Sequence, residues 1–249
     1  MDAIAIIPAR IASTRLPRKI LREIAGKTML ERVYSAARGC GQLSDVIVAT
    51  DSGEILSVCE TNGWTARLTS DQHRSGTDRV HEVATALMQA GKADESTVFV
   101  NVQGDEPLAR PEHLDALLRP MQDPNVLIST VATDCKEEDV ANPNAVKVVT
   151  RSDGRALYFS RSTIPFDRDK AANIAYRKHL GFYAYRYAAL DRFHQMPESS
   201  LERSERLEQL RFLENGFDIL VEHTPHDTIG VDTEADLQRV EQLILSAQM

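Results

Sequence analysis

AIAIIPARIASTRLPRK, Ala3 to Lys19, is the stretch whose reading decides the fold. The apolar run Ala3-Ile4-Ala5-Ile6-Ile7 is too short for a helix in its own right. It reads as a strand buried on both faces, the kind found in the middle of a parallel sheet. The segment from Pro8 to Lys19 that follows carries Arg10, Arg15, Arg18 and Lys19. In open α/β sheets, ligands sit just past the carboxyl ends of such strands. Four cations there point to a polyanionic ligand, because Arg presents a planar fork and Lys a point charge to phosphate oxygens. The sequence has neither a G-x-G-x-x-G nor a Walker lysine motif, so phosphate would be held by side-chain charge rather than by a glycine cradle. The plainer alternative is a solvated surface loop.

Outward from this loop, composition narrows the function classes. With 249 residues, 42% hydrophobic and 27% charged, the chain can bury a substantial core and has the make-up of a soluble globular protein. Its formal net charge of -8 argues against general binding to nucleic acid or to an anionic membrane surface. The first forty residues run the other way, with eight cations against three carboxylates, a net +5. A local positive field in an acidic protein suits a small anionic substrate better than a polymer. Cys40, Cys59 and Cys135 are scattered and contain no C-x-x-C, which suggests a reduced, cytoplasmic protein without a disulfide framework or zinc cluster. The opening apolar run is too short for a signal peptide or a membrane span.

Along the chain, Thr28 to Arg38 has helical spacing, and Val46 to Thr50 reads as a second strand. Asp51 or Ser52 then caps another helix that ends at Gly63. This strand and helix alternation builds a parallel sheet. Ser75-Gly76-Thr77 enters a helix running to Gly91 and offers N-H groups and hydroxyls to a ligand, or simply a cap. Val98 to Val102 is a third strand, running into Gln103-Gly104-Asp105-Glu106-Pro107, which places carboxylates at the same sheet edge as the basic loop. From about Val126 the pattern changes: Val126 to Val131, Val146 to Val149 and His179 to Arg186 read as strands, while Ala156 to Phe159 leads into Ser160 to Phe166 and a charged, irregular stretch up to about Tyr176. Within a single domain spanning residues 1–249, the segment from about 126 to 190 is expected to form a smaller strand-rich lobe, a dimer surface or a lid. Leu201 to Asn215 reads as one helix capped by Ser199 or Ser200, and Asp218 to Glu222 as a further strand. The chain closes through Asp232 into a helix that Thr233 and Asp236 begin like a capping box.

A basic loop, a carboxylate after a central strand and another near the C-terminus form a coherent set. Mg2+ is usually held by one or two carboxylates together with substrate phosphates and waters, so the set resembles a nucleoside triphosphate site. In-line displacement at phosphorus needs positioning and charge neutralisation rather than a covalent nucleophile.

The ordered stretches IIPARIASTRLPRK, IVATDS, SGTDR, VNVQGDEP, NPNAVKVV, ALYFSRSTIP, KHLGFYAYR, LERSERLEQLR and GVDTEADL together resemble the 3-deoxy-manno-octulosonate cytidylyltransferase family. The resemblance implies an α/β nucleotide-diphospho-sugar transferase fold with a mostly parallel sheet flanked by helices. It also implies a cytoplasmic homodimer and the reaction of CTP with 3-deoxy-D-manno-octulosonate (Kdo) to give CMP-Kdo and pyrophosphate, a step in lipopolysaccharide assembly. Carried over by motif, Arg10, Arg15 and Lys19 would hold the triphosphate, and Ser75 and Gly76 would approach the cytosine. Asp105 and Asp232 would ligate Mg2+. Gln103, Arg161, His179, Tyr183, Glu208 and Gln209 would line the sugar pocket, with Arg161 and His179 able to meet the sugar carboxylate. One departure concerns the loop lysine, which the family flanks with Gly and Pro and this chain flanks with Arg18 and Ile20. A related sugar acid, 8-amino-Kdo or an acylneuraminate, and a catalytically silent nucleotide-binding protein are the competing readings.

Overall fold

The structure is a computed structural model describing residues 1–13, 15–73, 75–169 and 174–247. Thr14 of the basic loop, Arg74 of the TSDQHRSGTDR segment and Lys170 to Asn173 of the irregular stretch lie outside the described residues. The chain divides into two compact units, one made of Met1–Asp115 with Thr228–Met249 and the other of Ala116–Asp227.

In the first unit the strand Ala3–Ala9 is central. It pairs in parallel with Asp45–Thr50 on one side, Ile4 opposite Asp45 and Ala9 opposite Thr50, and with Val98–Asn101 on the other, Ala3 opposite Val98. Thr65–Leu68 extends the sheet beyond Asp45–Thr50. A strand flanked on both sides and covered on both faces has no solvent side, and Ala3, Ala5, Ile6, Ile7 and Ala9 are all fully buried. Helices Met29–Gly39, Gly53–Thr61 and Gly76–Gln89 make the crossovers. Each begins at a hydroxyl cap, Thr28, Ser52 or Ser75, whose oxygen accepts from the backbone N-H three residues on. The helix Glu234–Ser246 packs Leu237 and Val240 with Leu16, Ile24, Met29 and Val231 in one apolar cluster. That cluster ties the C-terminal segment to the basic loop.

In the second unit Ile128–Asp134 lies between Leu220–His223, parallel, and Arg177–Arg186, antiparallel. Lys147–Thr150 pairs with Arg177–Arg186 and with Ala156–Ser160. The helix expected over Leu201 to Asn215 is in fact two, Ser200–Glu205 and Gln209–Glu214, separated by Arg206 at φ 54°. The cause is competition for carbonyls. Arg161 Nε donates to the Glu205 carbonyl at 2.7 Å and Nη2 to the Arg206 carbonyl at 3.4 Å. Those oxygens would otherwise accept from the next turn of a continuous helix. The helix Tyr187–Gln195 and the strand Thr65–Leu68 are elements that the sequence pattern did not announce.

Candidate active site

The basic loop folds back on the carboxylates. Lys19 Nζ donates to Asp105 Oδ2 at 2.8 Å and to Asp232 Oδ1 at 2.9 Å, while Arg15 Nη2 meets Asp232 Oδ2 at 3.0 Å. Residues 86 and 213 positions from the lysine thus converge on one ammonium. The backbone explains why: Val231 N-H donates to the Asp105 carbonyl at 2.9 Å, joining the two aspartate segments directly. Glu106 strengthens the junction by accepting from the Thr228 hydroxyl at 2.7 Å. Gly104 makes the approach possible, since a Cβ there would sit 2.7 Å from both the Pro8 carbonyl oxygen and Ile20 Cδ1.

Burial alone would lower the Lys19 pKa, but the hydrogen bonds and charges of Asp105 and Asp232 outweigh it and hold the ammonium above its usual range. Burial likewise works to raise Asp232, and the bonds from Lys19 and Arg15 win and keep it lowered. The Asp105 and Asp232 side chains remain 36% and 46% exposed, so both can take further ligands from solvent. Arg10 is exposed and pairs with none of the described carboxylates. Arg18 ion-pairs with Glu54 and holds the left-handed conformation, φ 55° and ψ 30°. That conformation costs an L-residue about 1–2 kcal/mol and glycine almost nothing.

Ser75 caps the helix Gly76–Gln89, accepting from Asp78 N-H at 3.1 Å. A Cβ added at Gly76 would lie 3.5 Å from Pro8 Cγ and 3.6 Å from Gln103 Oε1, so the Ser75-Gly76 turn sits at the carboxyl end of the central strand beside Gln103. Arg79 anchors that turn through a buried ion pair to Asp51 at 2.8 Å and a hydrogen bond to Thr69. No group of three or more His, Cys, Asp or Glu suited to a metal occurs among the described residues. Two hard-oxygen carboxylates converging on one cation match the protein share of a Mg2+ site, which phosphates and waters complete. The residues present therefore fit that ion.

The other sugar-pocket candidates lie in the second unit. His179 and Tyr183 stand on the strand Arg177–Arg186 with ring centroids 5.4 Å apart. Burial pushes the His179 pKa down to about 3, so its ring is neutral and offers a nitrogen rather than a charge. Burial also drives Tyr183 well above the phenol range, with Tyr185 and then Glu208 adding to it. The Tyr183 hydroxyl is buried with no hydrogen-bond partner among the described residues. Glu208 immediately precedes the helix Gln209–Glu214 without a side-chain capping bond, and Gln209 is buried. Arg161 is held by Glu205, whose carboxylate accepts from Arg161 N-H at 3.0 Å and from the Ser160 hydroxyl at 2.6 Å.

Several contributors escaped the sequence reading. Lys147 is fully buried and donates to the carbonyls of Asn142, Ala145 and Arg161 at 2.8, 2.6 and 3.0 Å. Its signal was visible: a lysine between Val146 and Val148 in a strand needs internal acceptors. Glu205 carried no comparable signal, because its partners are set by tertiary pairing.

Residues 4–219 match the family model described as Cytidylyltransferase. Over 246 residues the chain is 72% identical to the 3-deoxy-manno-octulosonate cytidylyltransferase of Koribacter versatilis (strain Ellin345), an alignment covering 99% of this chain and 91% of that one. The chain belongs to the 3-deoxy-manno-octulosonate cytidylyltransferase family. The family protein of Acidobacterium capsulatum is 56% identical over 98% of this chain and 97% of its own. Among solved structures, CMP:2-keto-3-deoxy-manno-octonic acid synthetase complexed with CTP superposes with a TM-score of 0.91 at 40% identity, covering 99% of this chain and all of that one. A 4-diphosphocytidyl-2C-methyl-D-erythritol synthase, at TM-score 0.66, 15% identity and 98% coverage of this chain, shares the fold alone. This family member therefore has the α/β nucleotidyltransferase fold expected from the sequence. Among the described residues no helix is long and apolar enough to cross a membrane.

Proposed function

We infer that the chain joins CTP and Kdo into CMP-Kdo with release of pyrophosphate. The observation that carries the reading is the convergence of Lys19 and Arg15 on Asp105 and Asp232 at the end of the central strand, in a chain so similar to named Kdo cytidylyltransferases. In the reaction, the anomeric hydroxyl oxygen of Kdo bonds to the α-phosphorus of CTP, its proton leaves, and the bond from that phosphorus to the β-phosphate oxygen breaks. Arg10, Arg15 and Lys19 supply positive charge to the triphosphate and to departing pyrophosphate, where a preorganised charge is most effective. Ser75 and Gly76 present the N-terminus of their helix to the nucleotide, and Gln103 lies beside them. Asp105 and Asp232 would hold Mg2+, which when bound neutralises phosphate charge. Arg161, with donors beyond those it spends on carbonyls, takes the sugar carboxylate; Tyr183, Glu208 and Gln209 hydrogen-bond sugar hydroxyls. A cytoplasmic homodimer serving lipopolysaccharide assembly belongs to the same proposal and is supported by family membership.

Pyrophosphate release with CTP and Mg2+, in parallel with Kdo, 8-amino-Kdo and N-acetylneuraminate, tests the reading. Release with Kdo that stops on adding a chelator is the expected result. Release only with one of the other acids reassigns the sugar, and silence in all three while CTP binds favours a nucleotide-binding protein without turnover.

A further inference from the structure

Thr130 lies on the strand Ile128–Asp134 opposite Tyr183, and His179 lies on the paired strand Arg177–Arg186 opposite Ala132. The Thr130 hydroxyl oxygen lies 2.9 Å from His179 Nε2, 2.7 Å from the Phe182 carbonyl oxygen and 3.4 Å from the Leu180 carbonyl oxygen. A hydroxyl has one proton, and carbonyl oxygens only accept. At 2.7 Å the Phe182 carbonyl must receive that proton, because two oxygens this close without one would repel. The contact falls at a bulge, where the register of the two strands shifts between Leu180 and Tyr183. With its proton spent, the Thr130 oxygen can only accept from His179, so Nε2 carries the hydrogen.

We propose that Thr130 is a positioning residue that fixes His179 as the Nε2–H tautomer, so that Nδ1 is a bare acceptor reserved for a hydroxyl of the sugar. This rests on the proposed function for the identity of the ligand and deepens it. A neutral ring with a lone pair repels a carboxylate, so His179 discriminates hydroxyl from carboxylate and leaves the acid group to Arg161. Burial keeps the ring uncharged and so keeps the lone pair available. The ring is braced by the Phe159 edge at 4.9 Å and by Tyr183, which limits its rotation. Among the described residues the only hydrogen bond of the ring is the one to Thr130.

Nitrogen NMR of the full chain with isotope-labelled histidine tests the tautomer without reference to activity, with His179→Gln assigning the signal. The expected spectrum has a pyrrole-type Nε2 and a pyridine-type Nδ1, unchanged in Thr130→Ser and altered in Thr130→Val. In steady-state assays Thr130→Val should raise the KM for Kdo by about 10- to 100-fold, with the KM for CTP unchanged and Thr130→Ser restoring the original value. A pyrrole-type Nδ1 or an imidazolium in the unaltered chain overturns the tautomer assignment. An Nε2–H spectrum lost in Thr130→Val with no change in the KM for Kdo overturns the role in sugar recognition. Turnover of a different sugar acid alone, with the Nε2–H spectrum intact, shows instead that the substrate assignment has failed.

Discussion

The two units handle polar chemistry in opposite ways. In the first, Lys19, Arg15, Asp105 and Asp232 are charged, partly exposed and mutually neutralising. In the second, His179 is buried and neutral, Tyr183 is buried and protonated, and Lys147 is a buried amine wrapped in carbonyls. Exposed ion pairs are individually weak and exchange partners readily, which suits a site where carboxylates and cations must be available to phosphate and metal. Buried hydrogen bonds are costly to leave unmade, which suits reading the pattern of hydroxyls on a sugar. Under the proposed function, charge in the first unit would serve the nucleotide, and fixed hydrogen-bond direction in the second would read the sugar hydroxyls, with Arg161 left for the acid group.

Removing the shared cation should break the first half of that contrast most severely. Lys19→Met is expected to lower kcat by about 100- to 1000-fold, the scale seen when one preorganised charge or donor is lost from a transition state. Steady-state kinetics with CTP and Kdo would check it, and loss of tenfold or less would show that Lys19 only pairs with the aspartates. Gly104→Ala comes next. Its methyl would press on the Pro8 carbonyl oxygen, a backbone atom that cannot swing away, so denaturant unfolding should show a loss of about 1–3 kcal/mol. Activity should fall with it, because Asp105 follows directly.

Acid should distinguish the units by the pH at which each begins to lose stability. His179 binds a proton with an ordinary pKa of 6.5 when unfolded and only near pH 3 when folded. Between those values the unfolded state binds more protons, so stability falls as pH drops from 6.5, by up to about 1.4 kcal/mol per unit. Asp232 has a lowered folded pKa, so its contribution is complete above its unfolded value of 3.8 and is lost only as pH falls through the folded one. Urea titrations at pH 7.5, 6 and 5 should therefore show a decline that His179→Gln largely removes, while Asp232→Asn leaves it in place.

The smallest effect sharpens the loop. Arg18→Gly should stabilise the chain by about 0.5–1 kcal/mol in thermal unfolding, because glycine relieves the left-handed backbone and the surrendered pair with Glu54 is exposed.

The same contrast governs what could be read in advance. The parallel core was legible because Ala3 to Ile7, Val46 to Thr50 and Val98 to Val102 are apolar runs of strand length joined by capped helices. The charged residues of the first unit were legible too, since cations clustered in a loop and aspartates at strand and helix boundaries stand out. Their meeting on one ammonium was not, because it depends on Gly104 and on the Val231 to Asp105 hydrogen bond, both products of tertiary packing. In the second unit the strand HLGFYAYR was visible, but its bulge was not, nor the hydroxyl of Thr130 that completes it. The helix through Arg206 was misread because local periodicity carries no record that Arg161, 45 residues away, would claim the carbonyls at its break.

The division of labour is tested most directly by measuring both KM values in paired variants, Arg15→Ala in the first unit and Gln209→Ala in the second. The account predicts that Arg15→Ala raises the KM for CTP and spares that for Kdo, while Gln209→Ala does the reverse. Both variants raising the same KM, or either raising both equally, would contradict it.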